Sequence, residues 1–348
     1  MRTPKILGVM SGSSADGVDF WLAAADSIQT PIQYAIVPYP QDLKAQLLGT
    51  LTGATSYQDM LRIEHAYTHF LAKVIEQWTE VDSDLIVGVH GPTVFHQGGV
   101  DSRQLVHGPM LAHLLGCTVI SDFRLYDVLS GGQGAPLAPL YHRQRFSQMQ
   151  KPLAIVNIGG ICNVTLLDHK TVRGYDIGPG NGLMDLICQQ HFNCAFDDQG
   201  HIARKGKVIE NLLAKMLKFP FFELPGPKSI HRDAFNQGWL NDFEVNSYQP
   251  KDVLRTVLAL TVQLILKEVG HYTSVVVIGG GAKNQFLISQ IEEKAGLKVT
   301  LVSDMDYIEA QLIAWLSLKR WQQEKLDYRQ VTGAAAPVLY GRIDVADF

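Results

Sequence analysis

The sequence predicts an α/β protein with two lobes of similar design. Residues 5–25 and 153–168 each show an apolar strand, a turn of glycine and other small residues, and a second apolar strand. Residues 274–284 add an apolar strand that runs into three glycines. The chain of 348 residues exceeds the usual size of one domain. We therefore interpret the repeated pattern as two lobes that face each other.

Other elements follow from apolar periodicity. Strands are predicted over residues 32–37, 84–89 and 118–121, and helices over residues 41–51, 57–78, 110–115 and 256–266. Glycines and prolines in residues 130–140 predict a loop or hinge near the lobe boundary. We expect an N-terminal lobe of residues 1–128, with the tail 335–348 packing back on it, and a C-terminal lobe of residues 129–334.

Composition excludes several classes of protein. Apolar residues make up 46% and charged residues 18%, as in an ordinary globular enzyme. A net charge of −4 gives no basic surface for nucleic acid. The four cysteines lack CxxC spacing, which predicts a reduced, cytoplasmic protein without structural zinc. We see no signal peptide and no segment that could span a membrane, so we expect no membrane partner.

The glycine turns predict a bound nucleotide. Consecutive backbone N–H groups in such turns form a concavity for phosphate oxygens, and glycine lets the backbone approach closely. The two hairpins would hold the phosphates, and Gly279 to Gly281 would pack against adenosine or its ribose. Each turn alone is also consistent with an ordinary hairpin, and only their combination favours a nucleotide.

A phosphoryl-transfer enzyme needs one carboxylate to accept a proton from the nucleophile. The carboxylates next to glycine turns are Asp16, Asp19, Asp176 and Asp185. We favour Asp176, which closes the short run 172–176 and would be exposed at the turn that follows. Asn181 and Asp185 then fall on one face of the next helix. The alternative for Asp176 is a turn-forming residue that bonds its own backbone.

Polar residues also follow two predicted strands. His90 comes at the C-terminal end of the strand 84–89, where α/β sheets bind ligands. The alternative for His90 is an ordinary structural hydrogen bond. Asp122 and Arg124 follow the strand 118–121. Arg124 could clamp a carboxylate or phosphate, or form a salt bridge within its lobe.

Two further candidates are more ambiguous. Lys228, with His231 and Arg232, follows a proline-stiffened turn and could bind an anionic substrate. The favoured alternative is a helix N-terminus capped by Ser229 with a solvated basic surface. Glu309 lies in a helical pattern and points either into a binding cleft or, more commonly for a single helical glutamate, into water.

Eight blocks resemble the anhydro-N-acetylmuramic acid kinase family. They are MSGSSADGVD, HGPTVFH, SDFR with GGQGAP, NIGGICNVT, DIGPGNGLMD, LPGPKS, GGGAKN and VTGA, and they cover residues 7–341 in this order. The resemblance implies two RNase H-like lobes, as in actin-like ATPases, with a nucleotide cleft between them. It also implies a homodimer that uses ATP and Mg²⁺. The reaction would convert 1,6-anhydro-N-acetylmuramic acid and water into N-acetylmuramic acid 6-phosphate, in recycling of the bacterial cell wall.

The resemblance also implies roles for individual residues. The catalytic base would be Asp176, and Asp16 and Asp19 would bind the metal. The cofactor-binding residues would be Gly12, Ser13, Ser14, Ala15, Asp16, Gly17, Val18, Asp19, Gly159, Gly160, Gly279, Gly280, Gly281 and Asn284. The sugar-binding residues would be His90, Thr93, Asp122, Arg124, Asn181 and Glu309.

The chain departs from the family pattern at a few positions. Pro92 stands where the family typically has glutamine, and Ile230 and His231 stand where threonine and glycine are usual. The phosphate loop reads SGSS in place of SGTS, which keeps the hydroxyl. Two alternatives stay open: another small-molecule kinase of this fold, and a sugar-sensing regulator without turnover. The intact Asp176 argues against the regulator.

Overall fold

The computed structural model describes residues 3–12, 17–51, 55–226, 228–230 and 234–346. The chain forms two compact units: unit 1 contains Met1–Tyr141 and Tyr307–Phe348, and unit 2 contains His142–Asp306. These units differ from the expected lobes of residues 1–128 with 335–348 and of residues 129–334. The main difference is the segment 307–334, which belongs to unit 1.

Unit 1 is built on a six-stranded sheet. Its strands are β1 (Lys5–Met10), β2 (Gly17–Ala24), β3 (Pro31–Pro38), β4 (Leu85–His90), β7 (Thr118–Ser121) and β13 (Arg342–Asp344), with the two-stranded ribbon β5 (Thr93–Gln97) and β6 (Asp101–Gln104) beside it. Its helices are α1 (Gln41–Leu51), α2 (Tyr57–Trp78), α3 (Gly108–Leu115), α4 (Phe123–Leu129), α5 (Ala138–Arg145, which continues into unit 2) and α11 (Ile308–Trp321). The strand order is β13-β7-β4-β1-β2-β3.

Helix α11 belongs to unit 1 because two glycines let it lie directly on the sheet. A Cβ atom on Gly8 of β1 would fall 2.1 Å from the Ala310 carbonyl oxygen. A Cβ atom on Gly88 of β4 would fall 1.8 Å from Ser317 Oγ. Any larger residue at either position would force the helix away from the strands. This packing joins residues that are distant in sequence. A lobe boundary inferred from the glycines and prolines of residues 130–140 therefore does not assign residues 307–334 to unit 1.

Unit 2 is built on a five-stranded sheet. Its strands are β8 (Leu153–Ile158), β9 (Ile161–Leu167), β10 (Val172–Pro179), β11 (Ser274–Ile278) and β12 (Val299–Leu301), and its helices are α6 (Gly182–His191), α7 (Glu210–Met216), α8 (Gln237–Asn241), α9 (Pro250–Val269) and α10 (Gln285–Ala295). The strand order is β10-β9-β8-β11-β12. Buried residues of α9 pack with those of β8, β9 and β11 in one apolar core.

The two sheets share one design. In each, a first strand pairs antiparallel with a second, the second pairs antiparallel with a third, and two later strands add in parallel on the other side of the first. This order, 3-2-1-4-5, is that of RNase H-like domains. The fold is therefore α/β, and the two predicted glycine hairpins are the β1–β2 and β8–β9 pairs.

Several predicted elements differ from the observed ones. Strand β10 does not end at Asp176 but continues to Pro179 through a β-bulge between Asp176 and Gly178. Arg124, expected at the end of the strand 118–121, lies instead in the first turn of helix α4. Helix α3 begins at Gly108, before the predicted start, because proline is tolerated in the first helical turn. The buried helix predicted over residues 256–266 extends from Pro250 to Val269.

Across the described ranges, every helix is too short or too polar to cross a bilayer.

Candidate functional site

Unit 2 brings three glycine turns together. The Gly180 N–H donates to the Gly160 carbonyl oxygen (3.0 Å), and the Asn181 N–H donates to the Gly159 carbonyl oxygen (2.7 Å). A Cβ atom on Gly281 would lie 2.8 Å from Asn181 Oδ1. The β8–β9 turn, the turn before α6 and the turn after β11 therefore meet at one edge of the sheet. Gly160 is exposed, and a Cβ atom there would meet nothing within 4 Å, so its backbone faces open space.

Two asparagines hold this cluster in place. Asn181 Nδ2 donates to the Ile158 carbonyl oxygen (3.4 Å), and its side chain lies against Gly280 and Gly281. Asn284 caps helix α10 by accepting a hydrogen bond from the Leu287 N–H (3.0 Å). Both contacts are structural. The predicted contact of Asn181 with sugar, and of Asn284 with cofactor, stay predictions.

Asp176 lies at the bulge of β10, within the strand. Its N–H donates to the Lys228 carbonyl oxygen (3.0 Å), and its Oδ2 accepts from the Ile230 N–H (3.1 Å). The side chain is half-buried. Burial raises the pKa of the Asp176 carboxyl to about 6, and the Ile230 N–H partly opposes this rise. Among the described residues, the Asp176 carboxylate accepts no hydrogen bond from the backbone of its own turn, although the alternative interpretation required one.

Asp185 is a second carboxyl with a raised pKa. It lies in the first turn of α6, and burial raises its pKa to about 6. The Asp185 N–H donates to the Asn181 carbonyl oxygen (2.8 Å), which fixes this residue next to the glycine turns. A raised carboxyl pKa marks a candidate for acid–base chemistry, so Asp176 and Asp185 are both candidates on this criterion.

The first glycine hairpin of unit 1 is described only at its ends. Ser13, Ser14, Ala15 and Asp16 lie outside the described residues. Gly12 precedes them, and Gly17 follows at the start of β2, where a Cβ atom would fall 2.6 Å from the Val37 carbonyl oxygen.

The strands that carry this hairpin fix its two ends. Val18 is fully buried in the core and pairs with Val37 of β3, so it supports the hairpin and offers no accessible surface to a ligand. Asp19 pairs with Met10 in the ladder of β1 and β2.

A buried hydroxyl cluster supports the start of this hairpin, and the sequence reasoning missed it. Ser11 Oγ accepts from the Tyr39 hydroxyl (2.8 Å) and forms a short hydrogen bond with the Tyr67 hydroxyl. The Ser11 N–H donates to the His90 carbonyl oxygen (3.0 Å). Burial raises the pKa of Tyr39 to about 12, so its hydroxyl stays protonated. The helical spacing of Tyr67 identifies it as a core residue but gives no sign of this partner.

His90 and Arg124 form the centre of the candidate sugar side in unit 1. Arg124 Nε donates to His90 Nε2 (3.0 Å), and Arg124 Nη1 donates to the Gly134 carbonyl oxygen (3.1 Å). Burial and the guanidinium lower the pKa of His90 to about 3, so the ring is neutral and carries its hydrogen on Nδ1. These two contacts fix the guanidinium plane and leave its remaining N–H groups for an acceptor.

Thr93 and Glu309 are two further predicted sugar-binding residues of unit 1. Thr93 Oγ1 accepts from Gln104 Nε2 (3.2 Å), at the start of the β5–β6 ribbon. Glu309 is exposed to solvent in the first turn of α11. The surrounding protein nevertheless raises the pKa of Glu309, and the Arg124 guanidinium partly offsets that rise. Glu309 and Arg124 therefore interact electrostatically.

Asp122 forms an ion pair within unit 1, with a partner that the sequence did not indicate. It adopts a left-handed φ of 60° before α4, and its Oδ2 lies 3.0 Å from Arg342 Nη1. Burial raises the pKa of Asp122, and Arg342 partly offsets the rise. The alternative for Arg124 was a salt bridge within its lobe. Its two hydrogen bonds described above go to uncharged acceptors, His90 Nε2 and the Gly134 carbonyl oxygen. A sugar contact for Asp122 stays a prediction.

The family profile of anhydro-N-acetylmuramic acid kinase matches residues 4–346. Proteins of that name from Hydrogenovibrio crunogenus and Nitrosospira multiformis are 34% and 37% identical to this chain. The alignments cover 97% of both chains in the first case and 99% of both in the second. A protein of the same name from Vibrio vulnificus is 36% identical over 94% of this chain and 95% of its own. The chain belongs to the anhydro-N-acetylmuramic acid kinase family.

Proposed function

We propose that this protein is an ATP-dependent kinase that converts 1,6-anhydro-N-acetylmuramic acid, ATP and water into N-acetylmuramic acid 6-phosphate and ADP. The full-length similarity to proteins named anhydro-N-acetylmuramic acid kinase supports the substrate. The observation that carries the chemistry is Asp176, a half-buried carboxylate with one side-chain hydrogen bond among the described residues and a pKa raised to about 6.

Asp176 is the proposed general base. At neutral pH its carboxylate is ionised and can accept a proton from water as the water oxygen attacks the anomeric carbon. The bond between that carbon and O6 then breaks, and O6 takes the γ-phosphoryl group of ATP while ADP leaves. A base with a pKa of about 6 combines a large ionised fraction with useful basicity at pH 7.

The glycine turns are the proposed phosphate site. In unit 2, the half-buried Gly159 and the exposed Gly160 offer backbone N–H groups to phosphate oxygens, and Gly279 to Gly281 offer a flat surface for the nucleoside. In unit 1, Gly12 and residues 17–19 flank the predicted loop. The predicted nucleotide position between two lobes stays a prediction.

Mg²⁺ is part of the proposal. The described residues contain no group of three or more His, Cys, Asp or Glu side chains placed to hold a metal. This fits Mg²⁺, which kinases hold through substrate phosphates and one or two carboxylates. Asp19 is the described candidate, and Asp16 lies outside the described residues. Bound Mg²⁺ would neutralise charge on the phosphates during transfer.

Arg124 is the proposed anchor for an anionic group of the sugar. Its guanidinium is held by His90 and Gly134, so binding an acceptor costs little further ordering. Glu309 interacts with the same guanidinium and can accept hydrogen bonds from sugar hydroxyls.

We further propose a role in cell-wall recycling in the cytoplasm, where ATP is available, and a homodimeric assembly. These points rest on what the family resemblance implies.

A direct assay tests the function. The purified protein is incubated with ATP, Mg²⁺ and either 1,6-anhydro-N-acetylmuramic acid or ordinary hexoses, and ADP release is measured. We expect turnover with the anhydro sugar and incorporation of one heavy oxygen isotope at the anomeric carbon when the water is labelled. Turnover of hexoses without turnover of the anhydro sugar would contradict the proposal and favour another small-molecule kinase.

A further inference from the structure

A short segment of unit 2, residues 228–230, borders Asp176 on the side of β10 away from β9. The segment is attached to the strand by two backbone contacts: the Asp176 N–H donates to the Lys228 carbonyl oxygen, and the Ile230 N–H donates to Asp176 Oδ2. It therefore holds both the backbone and the carboxylate of this residue at the bulge, where the regular ladder with β9 is interrupted.

The Lys228 side chain anchors this segment. Its Nζ donates to the carbonyl oxygens of Phe221 (3.1 Å) and Phe222 (3.5 Å) and lies 4.8 Å from the centre of the Phe221 ring. These acceptors belong to the short 3-10 helix Pro220–Glu223. The ammonium thus joins the segment to a fixed element, and among the described residues it lies within ion-pair distance of no carboxylate.

The anchor is itself fixed in the core next to the bulge. Phe222 is almost fully buried and stacks on Phe235, with ring centres 5.8 Å apart. A Cβ atom on Gly178 would fall 3.1 Å from the Phe222 ring, so this ring packs directly against β10 just after Asp176. The chain of contacts from Phe222 through Lys228 to Asp176 is therefore continuous.

We propose that Lys228 is a positioning residue for the catalytic base: its ammonium holds the 228–230 segment so that the Ile230 N–H fixes the orientation of the Asp176 carboxylate. This inference rests on the proposed function of Asp176. It also accounts for Ile230, which replaces the usual threonine of the family. The contact uses the backbone N–H, which every residue except proline provides.

The charged and titratable groups near Asp176 are few in the described ranges. The Cys162 thiol of β9 interacts with the Asp176 carboxylate, which together with burial raises the pKa of that thiol. Asp185 of α6 has a raised pKa of its own. Lys228 directs its ammonium to the Phe221 and Phe222 carbonyl oxygens. The main local influence that favours the ionised form of Asp176 is the Ile230 N–H.

A matched pair of variants tests the proposal. Lys228→Met removes the ammonium and keeps the side-chain length. Lys267→Met is the control, because Lys267 Nζ donates to the same Phe222 carbonyl oxygen (2.8 Å) but does not belong to the segment. Lys228→Arg should keep much of the wild-type kcat and Asp176 titration, since arginine can donate to the same carbonyl oxygens. The readouts are kcat, the Kd of ATP and the pH titration of the Asp176 carboxyl by NMR, assigned with Asp176→Asn.

In Lys228→Met we expect the Asp176 titration to move up from about 6 by about one pH unit, because a hydrogen bond to the charged form is weakened. We expect kcat to fall about tenfold, since misplaced catalytic groups lose rate steeply, with an unchanged Kd of ATP. Lys267→Met should change neither the titration nor kcat. Equal titrations in wild type and Lys228→Met, or equal shifts in both methionine variants, would overturn the inference.

A second variant covers the case in which Lys228→Met does not fold. Ile230→Pro removes the N–H that donates to Asp176, and it should raise the carboxyl titration in the same direction. An unchanged titration in Ile230→Pro would overturn the inference. A shifted titration with an unchanged kcat would support the positioning and contradict Asp176 as the base, so the two failures are distinguishable.

Discussion

Asp127 in unit 1 and Asp176 in unit 2 look alike in sequence, because each follows a tyrosine and precedes glycines within a few residues. Their environments are opposite. Asp127 is fully buried, and its carboxylate accepts hydrogen bonds from the Thr332 hydroxyl (2.7 Å), the Tyr340 hydroxyl and the Gly134 N–H (2.7 Å). Asp176 is half-buried, and among the described residues it accepts one hydrogen bond, from the Ile230 N–H.

This difference distinguishes a carboxylate that stabilises the fold from one that is available for catalysis. The donors to Asp127 come from the loop 130–136 and from residues 332–340, so its charge joins two distant segments of unit 1. Its oxygens have no need of a further partner. Among the described residues Asp176 has one hydrogen-bond donor, and burial raises its pKa to about 6, near the pH at which a base works best.

The largest expected effect is on turnover. Asp176→Asn keeps the shape and removes the base, so kcat should fall by about 10²–10⁴-fold. The Kd of ATP should not change, because the glycine turns are intact. Steady-state kinetics and calorimetric ATP titration measure the two quantities. Asp185→Asn is the control, with a smaller loss expected. A wild-type kcat in Asp176→Asn would show that another group is the base.

The next effect is on stability. Asp127→Ala leaves the Thr332 and Tyr340 hydroxyls and the Gly134 N–H without their acceptor in the core. Each buried unsatisfied group costs about 1–3 kcal/mol. We expect the free energy of unfolding to fall by about 3 kcal/mol or more, measured by urea denaturation. A loss below about 0.5 kcal/mol, the range of ordinary surface substitutions, would mean that Asp127 does not hold these segments together.

Whereas Asp127→Ala should lower the free energy of unfolding, Asp176→Asn should raise it. The folded state raises this pKa from 3.8 to about 6, so it binds the proton more tightly than the unfolded state does. The wild type therefore loses stability as pH rises from about 4 to about 6. Asparagine does not titrate, so the variant should be more stable by about 1–3 kcal/mol at pH 8.

This gain should disappear below about pH 4, where both states of the wild type are protonated. Urea denaturation of both proteins at the two pH values measures it. A variant that is less stable than wild type at pH 8 would indicate that the Asp176 carboxylate is held by favourable contacts, as Asp127 is.

The smallest expected effect concerns the departure at Pro92. Its carbonyl oxygen accepts from the Leu105 N–H (2.8 Å), a contact that any residue can make. Pro92→Gln should therefore fold normally. We expect the sugar KM to change by less than about tenfold, as for one added hydrogen bond, and the Kd of ATP to stay the same. A changed Kd of ATP would place this loop next to the nucleotide.

Much of the fold follows from local patterns in the sequence. The hairpins of residues 5–25 and 153–168, the helix over residues 57–78 and the strand over residues 118–121 agree with the structure because apolar spacing and glycine turns determine them locally. The meeting of Gly159, Gly160 and Gly279 to Gly281 follows from the repeated strand design.

The rest depends on contacts between distant residues. Nothing near Asp122 in the sequence indicates Arg342 as its partner, and the hydrogen bond of Asp176 comes from a backbone group at Ile230. The pairing of Ser11 with Tyr39 and Tyr67, and of Asp127 with Tyr340, likewise requires the folded chain. Local pattern also fails at β10, where a bulge lets the strand continue past Asp176.

The pH dependence of kcat/KM tests the central claim most directly, because Asp176 and Asp185 share a raised pKa and only one is proposed as the base. The base must be ionised, so the rate should rise through a midpoint of about 6 in the wild type and in Asp185→Asn. A rate that does not fall below pH 6, or a midpoint that disappears in Asp185→Asn, would contradict the account.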